Sequence, residues 1–317
     1  MGLTILEASK RVTDPKQMAV IKELAEDDLL KVQPFKNVTG GGVFYNQEAE
    51  LPGVGWRGVN EGLDASFGIY NPQAEPLKIF GGDVNVDRFI LDTQGREQRG
   101  SQVEAKVRAM RSAYADSFIN GGLSRNGQPV DPREMDGLKK RINVGSSQYL
   151  ENTSANSAGL SLAALDELID AVESGGAQKY IYCDKAVRRF ISAAARNPQL
   201  GGNIQFRTDE FGYQFVQYGE ARIVTADVND RNQKILPFTE GSSENTSSVY
   251  CMAFGDDLCT GIQGQVDGAY GISVRDLGES HQAPALVTRI EWYIGMAVFH
   301  GRSVARLANV GRAAAQA

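Results

Sequence analysis

The sequence predicts an α+β protein, and three stretches of the chain support that prediction. Residues 96–120 repeat apolar side chains with the period of one long helix. Residues 38–82 are rich in glycine and show no helical period. Residues 151–284 run from helix to strand to helix and then into short strands, which indicates a mixed α/β layer.

The long helix is defined by five apolar residues at steps of four, three, four and four: Val103, Val107, Met110, Tyr114 and Phe118. Gly121 and Gly122 end it, because glycine tolerates the left-handed conformation at a helix C-terminus. Its length is then about 35 Å. The pattern fits an ordinary core helix and also a spine against which other parts of the molecule pack. We also expect a Glu104–Arg108 ion pair along it.

The first 37 residues predict an N-terminal arm. It begins as an extended segment, and Asp14 with Pro15 then forms a favourable helix start. The short helix runs on to Ala25, and Asp27 and Asp28 fall near its C-terminal end, where the helix dipole disfavours negative charge.

Residues 38–82 predict an extended loop. Val43–Tyr45 is typical of a strand, and residues 77–80 are its expected return partner. An isolated two-stranded ribbon is marginal in water, and a structureless connection of this length is improbable in a compact domain. Both difficulties disappear if the segment lies on another subunit. Large side chains within it are then interface anchors, namely Trp56, Phe67 and Tyr70, with Arg57 beside them. The alternative is that these aromatics fold back onto their own core.

The remaining elements follow from local patterns, with residues 143–159 as a polar linker and the best domain boundary. The three consecutive cations at 139–141 are interpreted as a solvated face. We predict helices at 162–172 and 185–194 and strands at 83–91, 179–183, 204–207, 213–218, 221–225, 248–254 and 286–299, a loop-rich stretch at 255–284 and a short last element at 302–310.

Composition excludes several classes of protein. A formal net charge of -6 argues against a protein that works by binding phosphates through a basic face. The sequence has no apolar run of the ~20 residues needed to cross a membrane and no secretion signal. Three cysteines favour a reducing, cytoplasmic setting over a disulfide framework.

Motifs for catalysis or metal binding are weak, and we predict no catalytic residue, no metal site and no cofactor. The two histidines, His281 and His300, lack clustered cysteine partners, so buried and inert cysteines are favoured over a zinc site. No GxSxG elbow surrounds a serine. The glycines at 40–42 are followed by neither Gly-Lys-Ser/Thr nor a helix, so a flexible segment explains them better than a phosphate loop.

In order and spacing, these stretches resemble the major capsid proteins of tailed bacteriophages, which share the HK97-like fold. The resemblance covers nearly the whole chain. Its motifs are QEAELPGVGWRGVNEG with its return KIFGGDVNVDRFILDTQG, the helix ending SFINGG, DGLKKRI, KYIYCDKAVRRFISAAAR and ALVTRIEWYIGMAVFHGRSVARLANV.

The resemblance implies an HK97-like division of the chain. The arm is 1–37, the extended loop (E-loop) 38–82, the peripheral domain 83–150 with 285–317, its spine helix 96–120, and the axial domain 151–284. It also implies hexamers and pentamers of an icosahedral shell around packaged double-stranded DNA, with the extended loop of one subunit lying across its neighbour. Such a protein is located in the virion after assembly in the host cytoplasm.

Two features depart from parts of that family. About 35 residues precede the extended loop, too few for a cleaved scaffolding domain, which favours a separate scaffolding protein, or none. The resemblance also implies a portal and, in some shells, a decoration protein. Lys78 is the only lysine in the 38–82 loop and lies near its base. No motif supports a lysine–asparagine isopeptide bond, so we predict non-covalent assembly without contact to a membrane.

Two other functions remain open from the sequence. One is an encapsulin-like compartment around an enzyme cargo, which would share the fold. The other is a cytoplasmic α/β enzyme, which a compact monomer with a deep polar pocket would favour.

Overall fold

A computed structural model gives the fold of the chain. It describes residues 3–5, 7, 15–95, 97–125, 129–152, 159–194, 204–208, 214–241, 244–266, 268–280 and 283–311.

The described helices are α1 Pro15–Leu24, α2 Asp28–Val32, α3 Arg88–Gln94, α4 Glu97–Asn120, α5 Leu138–Arg141, α6 Leu162–Asp170 and α7 Lys185–Ala194. None of them is long and apolar enough to cross a bilayer.

The described strands are β1 Leu3–Thr4, β2 Pro34–Asn37, β3 Gly42–Glu50, β4 Ile69–Pro76, β5 Lys78–Asp87, β6 Tyr149–Glu151, β7 Lys179–Asp184, β8 Ile204–Thr208, β9 Gln214–Tyr218, β10 Ala221–Ala226, β11 Thr246–Ala253, β12 Cys259–Gln263, β13 Gln265–Val266, β14 Ala269–Tyr270, β15 Ile272–Glu279, β16 Ala285–Val298 and β17 Val304–Gly311. A 3₁₀ turn, Gly301–Ser303, separates the last two.

The first sheet has six strands and is built on β16. Strands β5 and β15 pair antiparallel with the same stretch of β16 along its opposite edges, while β12 pairs with its far end. β12 continues the sheet to β2 and β1. The predicted alternation in β16 is confirmed, since Ile290, Trp292, Ile294 and Met296 are all buried.

The second sheet has seven strands in the order β6-β17-β11-β7-β10-β9-β8. Its central strand β7 is buried along most of its length, including the charged residues at its ends, because both faces are covered. Tyr182 points into the core shared with α4, whereas Ile181 and Cys183 point into a second core formed with α6 and α7. The predicted helices and strands of this region are therefore confirmed wherever the structure describes them; the turn expected at 209–212 lies outside the described residues.

The spine helix is confirmed as α4, which has 24 residues and begins at Glu97, Arg96 lying outside the described residues. Its apolar stripe packs into the larger core, where an aromatic group joins three distant parts of the chain. The ring centroids of Tyr114 and Phe35 lie 6.3 Å apart, and those of Tyr114 and Trp292 lie 5.8 Å apart. This cluster fixes the end of the arm and β16 on the same helix.

Asp27 has a different role from the one predicted. It does not lie in the last turn of a helix but precedes a new helix, α2, as its N-cap. Its carboxylate accepts hydrogen bonds from the backbone N–H groups of Leu29 and Leu30 at 2.8 and 3.2 Å. A negative charge at that end of a helix is favourable, so two short helices replace the single helix that we expected.

The predicted return partner of the first hairpin strand is wrong. β3 pairs with β4, in the register Val43↔Glu75, and not with residues 77–80. Residues 78–80 begin β5, which pairs with β16 over ten positions instead. The polar sequence of β4 hid this strand, because both of its faces are exposed and no apolar alternation marks it.

Three shorter stretches also differ from the prediction. The expected strand 83–91 ends at Asp87, whose side chain caps α3 by accepting from Phe89 N at 2.8 Å. The loop-rich stretch 255–284 contains β12 and β15, which are recruited by pairing with β16. The linker 143–159 includes β6, which pairs with β17. In each case the partner strand is distant in sequence, and pairing outweighs weak local propensity.

Sheet membership crosses the boundaries expected for the domains. Strands β12 and β15 belong to the first sheet together with β16, whereas β17 belongs to the second sheet.

Candidate intersubunit surface

The hairpin formed by β3 and β4 has a packed root. The rings of Tyr45 and Phe299 lie 4.7 Å apart between centroids. Together with Val43 and Leu77 they pack around a small buried group that includes Ile262. The backbone N–H of Leu77 also donates to the carbonyl of Gly41 at 2.9 Å, which closes the base of the ribbon.

A two-pronged ion pair fixes the same root to the body of the protein. Arg141 of α5 contacts both carboxylate oxygens of Glu75, with Nη2 to Oε2 at 2.8 Å, and Nη2 also donates to the carbonyl of Met296. Burial disfavours the charged guanidinium, but the bonds to Glu75 outweigh it and raise the pKa of Arg141 above its ordinary value. The direction in which the hairpin leaves the body is therefore set by fixed contacts.

The tip of the hairpin, residues 51–68 together with Ile69 and Tyr70 at the start of β4, is exposed. It is shaped by its own hydrogen bonds, such as Ser66 Oγ to the Gly53 carbonyl at 2.7 Å and Gly58 N to Glu61 Oε2 at 2.7 Å. Strand β3 has nine residues, so the ribbon is about 30 Å long.

The four predicted interface residues all lie at this tip and are exposed in the single chain. Trp56 has a relative exposure of 104%, Phe67 of 88% and Tyr70 of 57%. Arg57 donates to the Glu61 carbonyl at 3.3 Å. The alternative that these aromatics fold back onto their own core is wrong for this chain.

The same surface contains further apolar residues that the sequence analysis did not single out. Large exposed side chains are concentrated on the hairpin and on the elements that follow it: Phe44, Leu51, Val54, Val59, Leu63, Ile69, Ile79, Phe89 and Ile90. Their residue types alone could not reveal this, because exposure depends on how the ribbon leaves the body. The one available signal was the density of large apolar residues in a stretch without a period.

The three cations of α5 do not form a solvated face, contrary to our interpretation. Lys139 pairs with Glu240 at 2.5 Å, Lys140 pairs with Asp136 at 2.6 Å, and Arg141 pairs with Glu75. These carboxylates come from three separate segments. Helix α5 thus connects the hairpin root with the loop that leads into β11, which is visible only once the chain is folded.

The cysteines are buried thiols, as predicted. Burial raises the pKa of Cys183, Cys251 and Cys259 to about 12 in each case. Among the described residues, which exclude His281, no group of three or more histidine, cysteine or acidic side chains is arranged to hold a metal ion.

Comparison with solved structures shows the fold shared by this chain. An encapsulin from Synechococcus elongatus PCC 7942, in the holo-SrpI complex, is 17% identical with a TM-score of 0.65, and the match covers 97% of this chain and 91% of that one. The capsid of a native GTA particle is 13% identical with a TM-score of 0.58, covering 89% of each chain. A chain of Mycobacterium phage Patience is 15% identical with a TM-score of 0.54, covering 92% and 85%.

The fold is therefore the HK97-like α+β fold that the resemblance implied. A comparison with curated proteins gave no match. A family model described as SU10 major capsid protein matches residues 59–236, which include the second part of the hairpin tip, the spine helix and most of the second sheet. Since that match spans more than half of the chain and agrees with its fold, the chain belongs to the SU10 major capsid protein family.

Proposed function

We propose that this protein is the subunit that builds an icosahedral shell of hexamers and pentamers around packaged double-stranded DNA. Its family makes it a structural component of a virion. The observation that supports this assembly most directly is a hairpin fixed at its root and exposing an aromatic tip.

An exposed tip of this kind is unfavourable for a subunit on its own. Soluble monomers rarely expose apolar patches larger than a few hundred Å², and larger patches mark interaction sites. Tryptophan, tyrosine and arginine dominate binding energy at protein interfaces, and all three types occur on this tip at Trp56, Arg57 and Tyr70. In the proposed shell, contacts between subunits bury roughly 2,000–5,000 Å², as in permanent assemblies.

The two sheets correspond to the two parts of the proposed subunit. We assign the first sheet with α4 to the peripheral domain and the second sheet with α6 and α7 to the axial domain. This keeps the expected core of each domain but assigns β12 and β15 to the peripheral part and β17 to the axial part. The assignment is supported by the pairing of β12 and β15 with β16 and of β17 with β11.

Contact with packaged DNA is loose in this proposal. A net charge of -6 leaves little general attraction for phosphates, so DNA is enclosed rather than bound tightly, and no residue reads base edges. The resemblance to tailed-phage shells also implies a portal, a separate scaffolding protein and assembly in the host cytoplasm. Subunits associate without covalent links.

An encapsulin-like compartment has the same fold, as the match to the Synechococcus protein shows. The family match favours the capsid function, and the contents of the particle distinguish the two: nuclease-protected DNA for a capsid and an enzyme for an encapsulin.

Electron microscopy of the expressed protein tests the proposal. The protein is produced alone and together with the neighbouring genes of its source, and sedimentation and imaging follow. We expect closed particles with five-fold and six-fold clusters, and nuclease-resistant DNA in particles made with the complete gene set. Protein that remains a compact monomer in both preparations contradicts a shell, and particles that contain only protein cargo favour the compartment.

A further inference from the structure

A groove with a cavity of about 280 Å³ lies between α1, the start of α4 and the first sheet. Its floor is mainly apolar and is contributed by three elements: Ala19, Val20, Gly100, Val103, Val107 and Val274. A cavity of roughly 150 Å³ accommodates a benzene ring, so this groove has room for an indole.

Gly100 is an unexpected residue for this floor. It lies within α4, where glycine costs about 0.5–1 kcal/mol relative to alanine. No other part of the described chain requires it, because a Cβ at this position would have no heavy atom within 4 Å outside its own helix backbone. The missing side chain therefore leaves space that no other described group uses.

The rim of the groove has an ion-pair pattern that leaves one carboxylate available. Arg99 contacts Asp276 and donates to Thr288 Oγ1 at 2.9 Å. Arg108 lies 3.7 Å from Glu23 and not beside Glu104, so the expected pair along the helix is replaced by one between helices. Glu104 is exposed on the rim and has no ion-pair partner among the described residues.

The hairpin tip has the complementary features. Trp56 is a fully exposed aromatic knob, and the adjacent Arg57 forms no ion pair within the described part of the chain. The knob is apolar and its neighbour is cationic, whereas the groove is apolar and its rim retains an unpaired carboxylate. Trp56 is fully exposed and the groove of the same chain is open, so Trp56 does not fill the groove of its own chain.

We propose that this groove is the seat for Trp56 of a second copy of this chain, with Arg57 of that copy beside Glu104. The proposal rests on the shell function above and specifies which surface receives the hairpin. A knob on one face and a seat on another make a heterologous contact, which closes into rings when the rotation between copies permits.

Cross-linking between two variants tests the contact directly. Gly55→Cys places a thiol next to Trp56, and Glu104→Cys places one on the rim. The native thiols, with pKa values of about 12, compete poorly for a maleimide. The two variants are co-assembled and treated with a short bismaleimide. We expect a covalent dimer containing one copy of each, whereas Gly55→Cys with Glu167→Cys, an exposed position on α6, gives none.

Filling the groove provides the second test. The Gly100→Leu substitution introduces a residue that is favourable in a helix, and its side chain occupies the open space. The free energy of unfolding of the isolated subunit should therefore be unchanged or slightly increased. Particle yield should fall about tenfold or more, as expected when a dominant interface contact is lost.

Tryptophan fluorescence gives an independent readout of the same contact. In Trp292→Phe subunits, where Trp56 is the only tryptophan, the emission should shift to shorter wavelength on assembly, and the Gly100→Leu change should remove that shift.

The outcomes separate the two proposals. The seat is overturned, and the shell proposal stands, in either of two cases. In the first, wild-type protein forms particles but co-assembled Gly55→Cys and Glu104→Cys subunits give no dimer. In the second, Gly100→Leu subunits form particles as well as wild type does. Wild-type protein that forms no particle under any condition overturns both.

Discussion

At the scale of single residues, the two tryptophans show how far sequence patterns extend. Trp292 lies in a strand with clear alternation, and its burial, with 1% exposure, could be predicted from that pattern. Trp56 lies among turn residues without a period, so the sequence left its position open between core and interface. Folding decided it, because the hairpin root directs the ribbon away from the body.

Substituting alanine for Trp292 should reduce the stability of the subunit, whereas substituting alanine for Trp56 should reduce its assembly. Trp292→Ala removes a ring packed 5.2 Å from Phe35, so the subunit should lose about 3–5 kcal/mol of stability. Trp56→Ala should leave the free energy of unfolding nearly unchanged and strongly reduce assembly. Denaturant unfolding of isolated subunits and sedimentation of assembly reactions measure the two effects. Equal loss of stability in both variants would show that Trp56 belongs to the core.

At the scale of elements, short segments are fixed by charges that come from elsewhere in the chain. Glu240 lies between Lys139 of α5, at 2.5 Å, and Arg306 of β17, at 3.2 Å. Burial opposes its charge, but the two cations outweigh that effect and hold the pKa of Glu240 below its ordinary value of 4.5. None of the three residues was singled out for such a role in the sequence, since their partners are far apart along the chain.

This arrangement predicts a pH-dependent contribution to stability. A lowered pKa in the folded state stabilises above about pH 4.5, and that stabilisation is lost as the pH falls through the folded-state pKa. Glu240→Gln should therefore cost about 2 kcal/mol near neutral pH and much less near pH 3. Denaturant unfolding of subunits across that range gives the difference, with Glu167→Gln as an exposed control. A difference that stays constant with pH would contradict the assignment.

Gly121 and Gly122 follow directly after the spine helix α4, and each position requires glycine for a different reason. A Cβ at Gly121 would collide with the backbone of Met135 and Ser117, because two segments pass in direct contact there. Gly122, at φ +69°, adopts the left-handed conformation expected of the helix end, so the two glycines serve different purposes.

Substitution by alanine should change the stability of the subunit in opposite directions at Gly121, which is crowded, and at Gly100, which faces open space. Gly121→Ala should cost more than about 2 kcal/mol, since backbone must move. Gly100→Ala, inside α4 and facing open space, should gain about 0.5–1 kcal/mol in the isolated subunit. Thermal unfolding of the two variants beside wild type measures this. A comparable loss in both would mean that the space at Gly100 is filled within the chain.

At the scale of the whole molecule, one compact body supports one projecting ribbon. The aromatic cluster around Tyr114 and the second sheet, which has a core on each face, hold the body together. Among the described residues, the hydrophobic packing of the ribbon lies at its root. Lys78 at that root donates to the Pro132 carbonyl at 3.1 Å. This geometry fits the non-covalent association of subunits.

Assembled shells should accordingly separate into single subunits in denaturant. Boiled particles should run as one band at the monomer position in denaturing electrophoresis, because no covalent link joins the copies. Unassembled subunit loaded in parallel is the control. A ladder of higher bands that persists under reducing conditions would contradict non-covalent assembly.

The sequence by itself determined the elements whose patterns are local: the spine helix, the buried strand around Trp292, the helix that begins at Leu162 and the buried cysteines. It left open whether the large aromatic side chains of residues 38–82 contact another subunit or their own core. The tertiary structure alone decided the strand pairing of β4, the recruitment of β12 and β15, the ion pairs of α5 and the groove at Gly100. Those features depend on segments that are distant in sequence, and no local period records which of them will meet.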